Sequence, residues 1–154
     1  MNITLDWHEP IILGSSSTLL KNLKVFDFSI LPEIAGVYIF FREYGDYKEA
    51  LYVGRSENIR NRMKAHFNSI KLVDGLINTK IGQKKLAFAE VITRGNLSKA
   101  LAQAEKGLIN ELDSLDHPLL NHQLMKDQYD YIVSKGAVID IIDTEISVFC
   151  SNKN

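Results

Sequence analysis

The chain has 154 residues, of which 45% are hydrophobic and 24% charged, and its formal net charge is -1. This length and composition predict one globular domain with its own core, over residues 1–154. No apolar run is long enough to span a bilayer, and residues 1–6 lack the basic start and apolar stretch of a secretion signal. We therefore expect a soluble, cytoplasmic protein with no membrane partner. The single cysteine, Cys150, excludes an internal disulfide and a zinc site made of thiolates.

The first part of the chain predicts mostly strands. They are Asn2–Trp7, the short Ile11–Leu13, Val37–Arg42 and Ala50–Val53. Between the last two, the polar run Tyr44–Glu49 predicts the loop of a hairpin. Gly14–Ser17 predicts a turn, although its serines could also begin a helix at Thr18.

A helix is predicted next, from about Glu57 to Asn68, with Ser56 as its N-cap. Its apolar stripe consists of Ile59, Met63 and Phe67, which follow one another at a spacing of four. Arg62 and His66 are also four apart, so their side chains project from one face of the helix beside the stripe.

The second half of the chain predicts both helices and strands. Residues 74–83 contain two glycines among apolar residues and indicate no single element. The other predictions are a strand Lys85–Ile92, a helix Leu97–Leu112 capped by Asn96 or Ser98, a helix Leu124–Lys135 ended by Gly136, and a terminal hairpin of Val138–Ile142 and Ile146–Cys150. We expect the N-terminal strand to pair with this hairpin or with a second subunit, which leaves the oligomeric state open.

The charge of the chain is distributed unevenly. Residues 55–85 contain eight Lys and Arg residues and two acids, a local balance of +6, whereas residues 105–154 contain four Lys and nine acids, a balance of -5. Such a chain can offer a basic face to a polyanion while staying nearly neutral overall. An ordinary solvated surface explains the charges equally well, so charge alone leaves a nucleic-acid partner open.

Several chemically useful residues follow one another in a set order. Gly36-Val37-Tyr38 and Tyr52-Val53-Gly54 lie on the two predicted strands of the hairpin, and Arg62, His66, Glu105 and then Asn121 follow them. Each residue alone has an ordinary explanation, as a strand aromatic, a surface charge or a turn residue. Their shared order, over about Gly36–Asn121, resembles the GIY-YIG nuclease superfamily.

The resemblance implies an α+β fold: a small three-stranded antiparallel sheet flanked by helices. We expect this core over residues 34–123, with additional N- and C-terminal strands. The resemblance also implies that the chain is a standalone endonuclease, which hydrolyses nucleic-acid phosphodiester bonds with one divalent cation, Mg or Mn. We expect DNA rather than RNA as its partner.

The same resemblance implies a role for each matching residue. Glu105 would hold the cation, and Arg62 would stabilise the phosphate. The general base stays open between Tyr38, Tyr52 and His66, Asn121 would order the site, Gly54, Arg55 and Lys64 would contact the substrate, and Glu111 is an alternative metal carboxylate.

A free tyrosine, with a pKa near 10, is a poor base at neutral pH. We therefore expect Arg55, Arg62 and the cation to lower the pKa of Tyr38. The whole assignment requires the helix of Glu105 to bring its carboxylate near Tyr38 and Arg62.

Two other functions remain open at this point. The chain could be a nucleic-acid-binding module that kept the fold without catalysis. It could also be a protein-interaction domain that uses its acidic C-terminal third. The second would show no salt-sensitive binding to DNA, because that sensitivity reports phosphate contacts.

Overall fold

The computed structural model describes residues 1–120 and 129–149. Within them lie seven strands, four α-helices and a short 3-10 helix, Phe28–Ile30. The strands are β1 (Asn2–Trp7), β2 (Ile11–Gly14), β3 (Gly36–Tyr44), β4 (Tyr47–Ser56), β5 (Gln83–Thr93), β6 (Tyr129–Gly136) and β7 (Glu145–Phe149). The helices are α1 (Leu19–Lys24), α2 (Ile59–Phe67), α3 (Ile70–Ile77) and α4 (Leu97–Ser114). The predicted α+β class is therefore confirmed. None of the described helices is long and apolar enough to cross a membrane, and the cytoplasmic location stays a prediction.

All the described strands belong to one sheet in the order β4-β3-β5-β1-β6-β7, with β2 also paired to β5. Neighbouring strands are antiparallel except β1 and β6, which are parallel. The predicted three-stranded sheet is thus too small, because β4, β3 and β5 form only part of a larger mixed sheet. The N-terminal strand β1 does pair with a C-terminal strand of the same chain, but this strand is β6, which was predicted as part of a helix, and not the predicted terminal hairpin.

Helices cover both faces of the sheet, so there are two hydrophobic cores. Residues of α4 pack with Val37 and Ile39 on one face. Residues of α1, α2 and α3 pack with Tyr38 and Phe40 on the other. Because successive residues of β3 enter different cores, this strand is an apolar run rather than an alternating one.

The hairpin of β3 and β4 is longer than predicted. Tyr44 pairs with Tyr47, so the predicted loop Tyr44–Glu49 shrinks to Gly45 and Asp46. Gly45 has a φ of 59°, the left-handed conformation that tight hairpin turns require and glycine adopts without strain.

The structure corrects one predicted helix start and decides another. The N-cap of α2 is Asn58, whose side chain accepts a hydrogen bond from Asn61 N at 3.1 Å, so the prediction of Ser56 is wrong. Ser56 ends β4 instead, and its hydroxyl accepts a hydrogen bond from Asn58 N. Helix α4 begins after Asn96, which decides between the two predicted caps. The strand predicted at Lys85–Ile92 is confirmed as β5.

Helix α3 was not predicted at all. Ser69 caps it, and its side chain accepts from Leu72 N. Gly75 lies inside the helix, where glycine costs about 1 kcal/mol relative to alanine and weakens the helical signal of the sequence.

The C-terminal predictions are wrong in part. The predicted helix Leu124–Lys135 is strand β6 from Tyr129 onwards, because this segment pairs with the free edge of β1. The rest of that predicted helix lies outside the described residues. β7 pairs with β6 rather than with residues 138–142, which form the connection between the two strands.

Candidate active site

Tyr38 lies on β3 directly opposite Gly54 of β4, and its side chain is 1% exposed. A Cβ atom on Gly54 would lie 2.3 Å from both Cζ and Oη of Tyr38. Non-bonded atoms do not approach this closely, so the Tyr38 ring takes its position only because Gly54 has no side chain. The sequence assigned Gly54 to substrate contact, and the structure gives it this packing role. The cross-strand register that reveals the role cannot be read from the sequence.

Helix α2 places Arg62 and His66 against the Tyr38 hydroxyl. Nε2 of His66 lies 2.5 Å from Tyr38 Oη, and Arg62 Nε donates a hydrogen bond to the same oxygen at 3.3 Å. The spacing of four that predicted a shared helix face therefore brings both side chains to one phenol.

Burial keeps both Tyr38 and His66 neutral. It raises the pKa of Tyr38 to about 12, and this effect outweighs the hydrogen bond and positive charge of Arg62. Burial and then the charge of Arg62 lower the pKa of His66 to about 4. Arg62 does lower the pKa of Tyr38, as expected, but desolvation is the larger effect, so the net pKa is raised rather than lowered.

Glu105 of α4 reaches the same place from the other face of the sheet. Its Oε1 lies 3.8 Å from Nη1 of Arg55, and its carboxylate accepts a hydrogen bond from the Arg55 backbone N–H on β4. Burial raises the pKa of Glu105, while Arg55 and Arg62 act against this rise. The carboxylate is near enough for its charge to contribute to the raised pKa of Tyr38. The structure therefore brings Glu105, Tyr38 and Arg62 together beside β4, which is an edge strand of the described sheet.

Tyr52 lies beside this group. Its ring centroid is 6.4 Å from that of Tyr38 and 5.6 Å from that of His66, and its side chain is half-buried. A bulge in β4 at this point lets the consecutive residues Leu51 and Tyr52 both pack on the core that contains α2.

One of the predicted site residues, Lys64, is not part of this group. Lys64 is exposed on α2 two positions after Arg62, a spacing that directs it to another side of the helix. Asn121 lies outside the described residues. Its predicted role and that of Lys64 stay predictions.

The basic stretch does not form one continuous surface. Lys84 is 1% exposed and donates to Ser16 Oγ at 2.8 Å, and Lys85 is paired with Glu43. The exposed members are Arg55, Arg62, Lys64, Lys71 and Lys80. The positive charge available to a polyanion is therefore smaller than the sequence balance suggests.

The donor atoms around Glu105 suit a hard cation. The described residues contain no group of three or more His, Cys, Asp or Glu side chains that could hold a metal. One carboxylate with a phenol nearby offers oxygen donors only, which fits a magnesium-like ion that keeps several waters. The alternative carboxylate, Glu111, instead accepts a hydrogen bond from the Asp143 backbone N–H at 3.3 Å.

Residues 34–117 match the family model described as the GIY-YIG catalytic domain. The chain belongs to the GIY-YIG family. The matched segment is therefore a nuclease domain, that is, a hydrolase. The matched segment lies inside the predicted core of residues 34–123 and includes Tyr38, Arg62 and Glu105 but not Asn121. That residues 1–154 form a single domain stays a prediction.

Two curated relatives support the membership. The chain is similar to UvrABC system protein C of Chlorobium phaeobacteroides, with 34% identity over 122 residues, which cover 79% of the chain and 18% of the relative. It is also similar to UvrABC system protein C of Salinibacter ruber, with 33% identity over 107 residues, 69% of the chain and 15% of the relative. The chain thus spans less than a fifth of the length of these relatives. No solved structure matches it significantly.

Proposed function

We propose that this GIY-YIG nuclease is a metal-dependent endonuclease that hydrolyses phosphodiester bonds in DNA. One observation carries the proposal: side chains from β3, α2 and α4 lie close together beside β4, the strand at one edge of the described sheet. They supply a phenol, a guanidinium, an imidazole and a carboxylate. These are the groups that hydrolysis needs to bind a phosphate, move a proton and neutralise charge.

Arg62 is the phosphate-binding group of the proposed site. A phosphate accepts charge-assisted hydrogen bonds from a guanidinium, and these are stronger than its bond to a neutral phenol. Tyr38 is 1% exposed, and the exposed Arg62 donates a hydrogen bond to its hydroxyl, so a movement of Arg62 would help to open this hydroxyl to water. Substrate binding would therefore draw Arg62 to the phosphate and uncover Tyr38.

Tyr38 acts as the general base through His66 in this proposal. With a pKa of about 12, the Tyr38 side chain is a neutral phenol at pH 7. The neutral phenol instead takes a proton from the attacking water while it passes its own proton to Nε2 of His66. A phosphate bound to Arg62 offsets the positive charge that lowers the pKa of His66, so the imidazole becomes a better acceptor when substrate is present.

Glu105 would hold the divalent cation, Mg or Mn. The ion would supply positive charge to the phosphate and to the leaving oxygen. Arg55 is 3.8 Å from the Glu105 carboxylate and its side chain is 47% exposed, so it is free to turn from the carboxylate towards the substrate.

The proposal is tested by cleavage of plasmid, branched and single-stranded DNA, and of RNA, with Mg or Mn. Tyr38→Phe, Arg62→Ala and Glu105→Ala should each lower the rate about 10²- to 10⁴-fold, the usual effect of losing a catalytic group. Glu111→Ala is the matched control on the same helix and should cut DNA like the wild type.

Three results would count against the proposal. If Glu105→Ala cuts as fast as the wild type, the metal site is wrong. If RNA is cut and DNA is not, the substrate is wrong. If nothing is cut with any metal but DNA binding weakens steeply with salt, the chain is a non-catalytic binding module.

A further inference from the structure

A cavity of about 440 Å³ adjoins the candidate active site. Tyr52 and His66 line it, together with Leu72 of α3 and Leu120. The same His66 ring lies 2.5 Å from the Tyr38 hydroxyl, so the cavity and the catalytic group share a side chain. A volume of this size is typical of small-molecule sites and holds more than a few waters.

Gly75 of α3 forms part of the wall of this cavity, next to Leu120. A Cβ atom added to it would lie 3.0 Å from Cδ1 of Leu120. Its φ is not positive, so the backbone does not require glycine there. Glycine inside a helix costs about 1 kcal/mol relative to alanine. Here it allows the Leu120 side chain to lie close to helix α3.

The lining has the chemistry that recognises a nucleobase. The half-buried Tyr52 contributes an aromatic ring to the lining, the kind of side chain on which bases stack, and Leu72 and Leu120 supply apolar contact. Ser69 and the exposed Lys71 add a hydroxyl and a positive charge. Among the described lining residues there is no Asp or Glu that would repel a nucleotide.

We propose that this cavity receives the base of a nucleotide next to the cleaved phosphate. The inference rests on the proposed function, because it places that phosphate on Arg62 beside Tyr38. The base then stacks on Tyr52, while Lys71 lies near the next phosphate of the strand. Taking up a base that has left the stack costs least in single-stranded or distorted DNA. The cavity therefore favours such substrates over regular duplex.

The test fills the cavity from a position outside the catalytic group. Gly75→Leu places a large side chain in it, whereas Gly75→Ala gives a similar gain in helix propensity with a much smaller side chain, so the two variants compare two degrees of filling. The probe is a single-stranded oligodeoxynucleotide in which 2-aminopurine, a fluorescent base, replaces each position in turn. Binding is measured without divalent metal, so that no cleavage occurs.

We expect the wild type to quench the probe at one or two adjacent positions, and an abasic residue there to weaken binding about 5- to 100-fold, the effect of losing one stacked base. Gly75→Leu should lose both the quenching and this affinity, while Gly75→Ala, which adds only one methyl group beside Leu120, should lose less of both than Gly75→Leu. Thermal unfolding of both variants is measured to check that they are folded.

The outcomes separate this inference from the proposed function. If Gly75→Leu binds and quenches like the wild type, the cavity is not a base site, whether or not the protein cuts DNA. If quenching depends on Gly75 but no metal supports cleavage, the base site stands and the hydrolytic function fails.

Discussion

Gly54→Ala is the sharpest test of the geometry around Tyr38. The new methyl group would lie 2.3 Å from Cζ and Oη of Tyr38 and 2.8 Å from Cε2, whereas ordinary contact begins at 3.4 Å. The ring or the strand must therefore move by about 1 Å, and Tyr38 is buried, so its neighbours must move too. Such overpacking costs about 1–3 kcal/mol. A displacement of about 1 Å at a catalytic group lowers the rate about 10²-fold.

The variant is measured by thermal unfolding and by DNA cleavage under identical conditions. For a chain of this size the stability loss corresponds to a fall in Tm of about 2–12 °C. Gly95→Ala is the control, because its new methyl group would meet no atom closer than 3.6 Å. It should change neither quantity. If Gly54→Ala retains wild-type cleavage, Tyr38 does not act from the position described here.

Three further predictions concern single ionisable groups. Glu105→Gln should remove the response of cleavage to added Mg, measured by metal titration, and a response of wild-type size would exclude Glu105 as the ligand. His66→Gln should cut about 10²- to 10⁴-fold more slowly. The free energy of unfolding of His66→Gln, measured in urea melts, should also fall less than that of the wild type when the pH is lowered from 6.5 to 4. In the wild type the folded pKa of His66, about 4, lies below the ordinary 6.5, so the stability that neutral His66 contributes is lost as pH falls. Equal losses would contradict the buried, neutral imidazole. Glu111→Gln should be more stable than the wild type at pH 8, by about 1 kcal/mol after allowance for solvent screening, but not at pH 4. Burial raises the folded pKa of Glu111 to about 7, so the wild type loses stability as pH rises from 4.5 through 7. If Glu111→Gln were more stable than the wild type by the same amount at pH 4 and pH 8, this reasoning would be contradicted.

The parts of the fold that the sequence predicted well depend on short-range signals. The spacing of four between Arg62 and His66 placed both on one helix face, and Asn96 is one of the two caps predicted for α4. The motif order placed Tyr38 and Glu105 in one site before any geometry was known. The first two predictions rest on neighbouring residues, whereas the third rests on the order of motifs that resemble the family.

The sequence predictions that failed depend on contacts between residues that are far apart in the chain. Residues from Tyr129 onwards form a strand because β1 offers them a free edge, and no local pattern contains that partner. The bulge beside Leu51 depends on the register with β3. The pKa of Tyr38 rises because the fold buries it, whereas its neighbour Arg62 alone would predict a fall.

The place of β1 in the sheet has a consequence for how the chain folds. This strand comes first in the sequence, yet it lies between β5 and β6, with Ile3 paired to Thr93 on one side and Ile132 on the other. During synthesis its second edge has no partner until residues 129–136 have left the ribosome. Pairings between such distant segments form slowly, and an uncovered strand edge invites association with other chains in the meantime. The interval before β6 arrives is therefore when a growing chain is most exposed to aggregation.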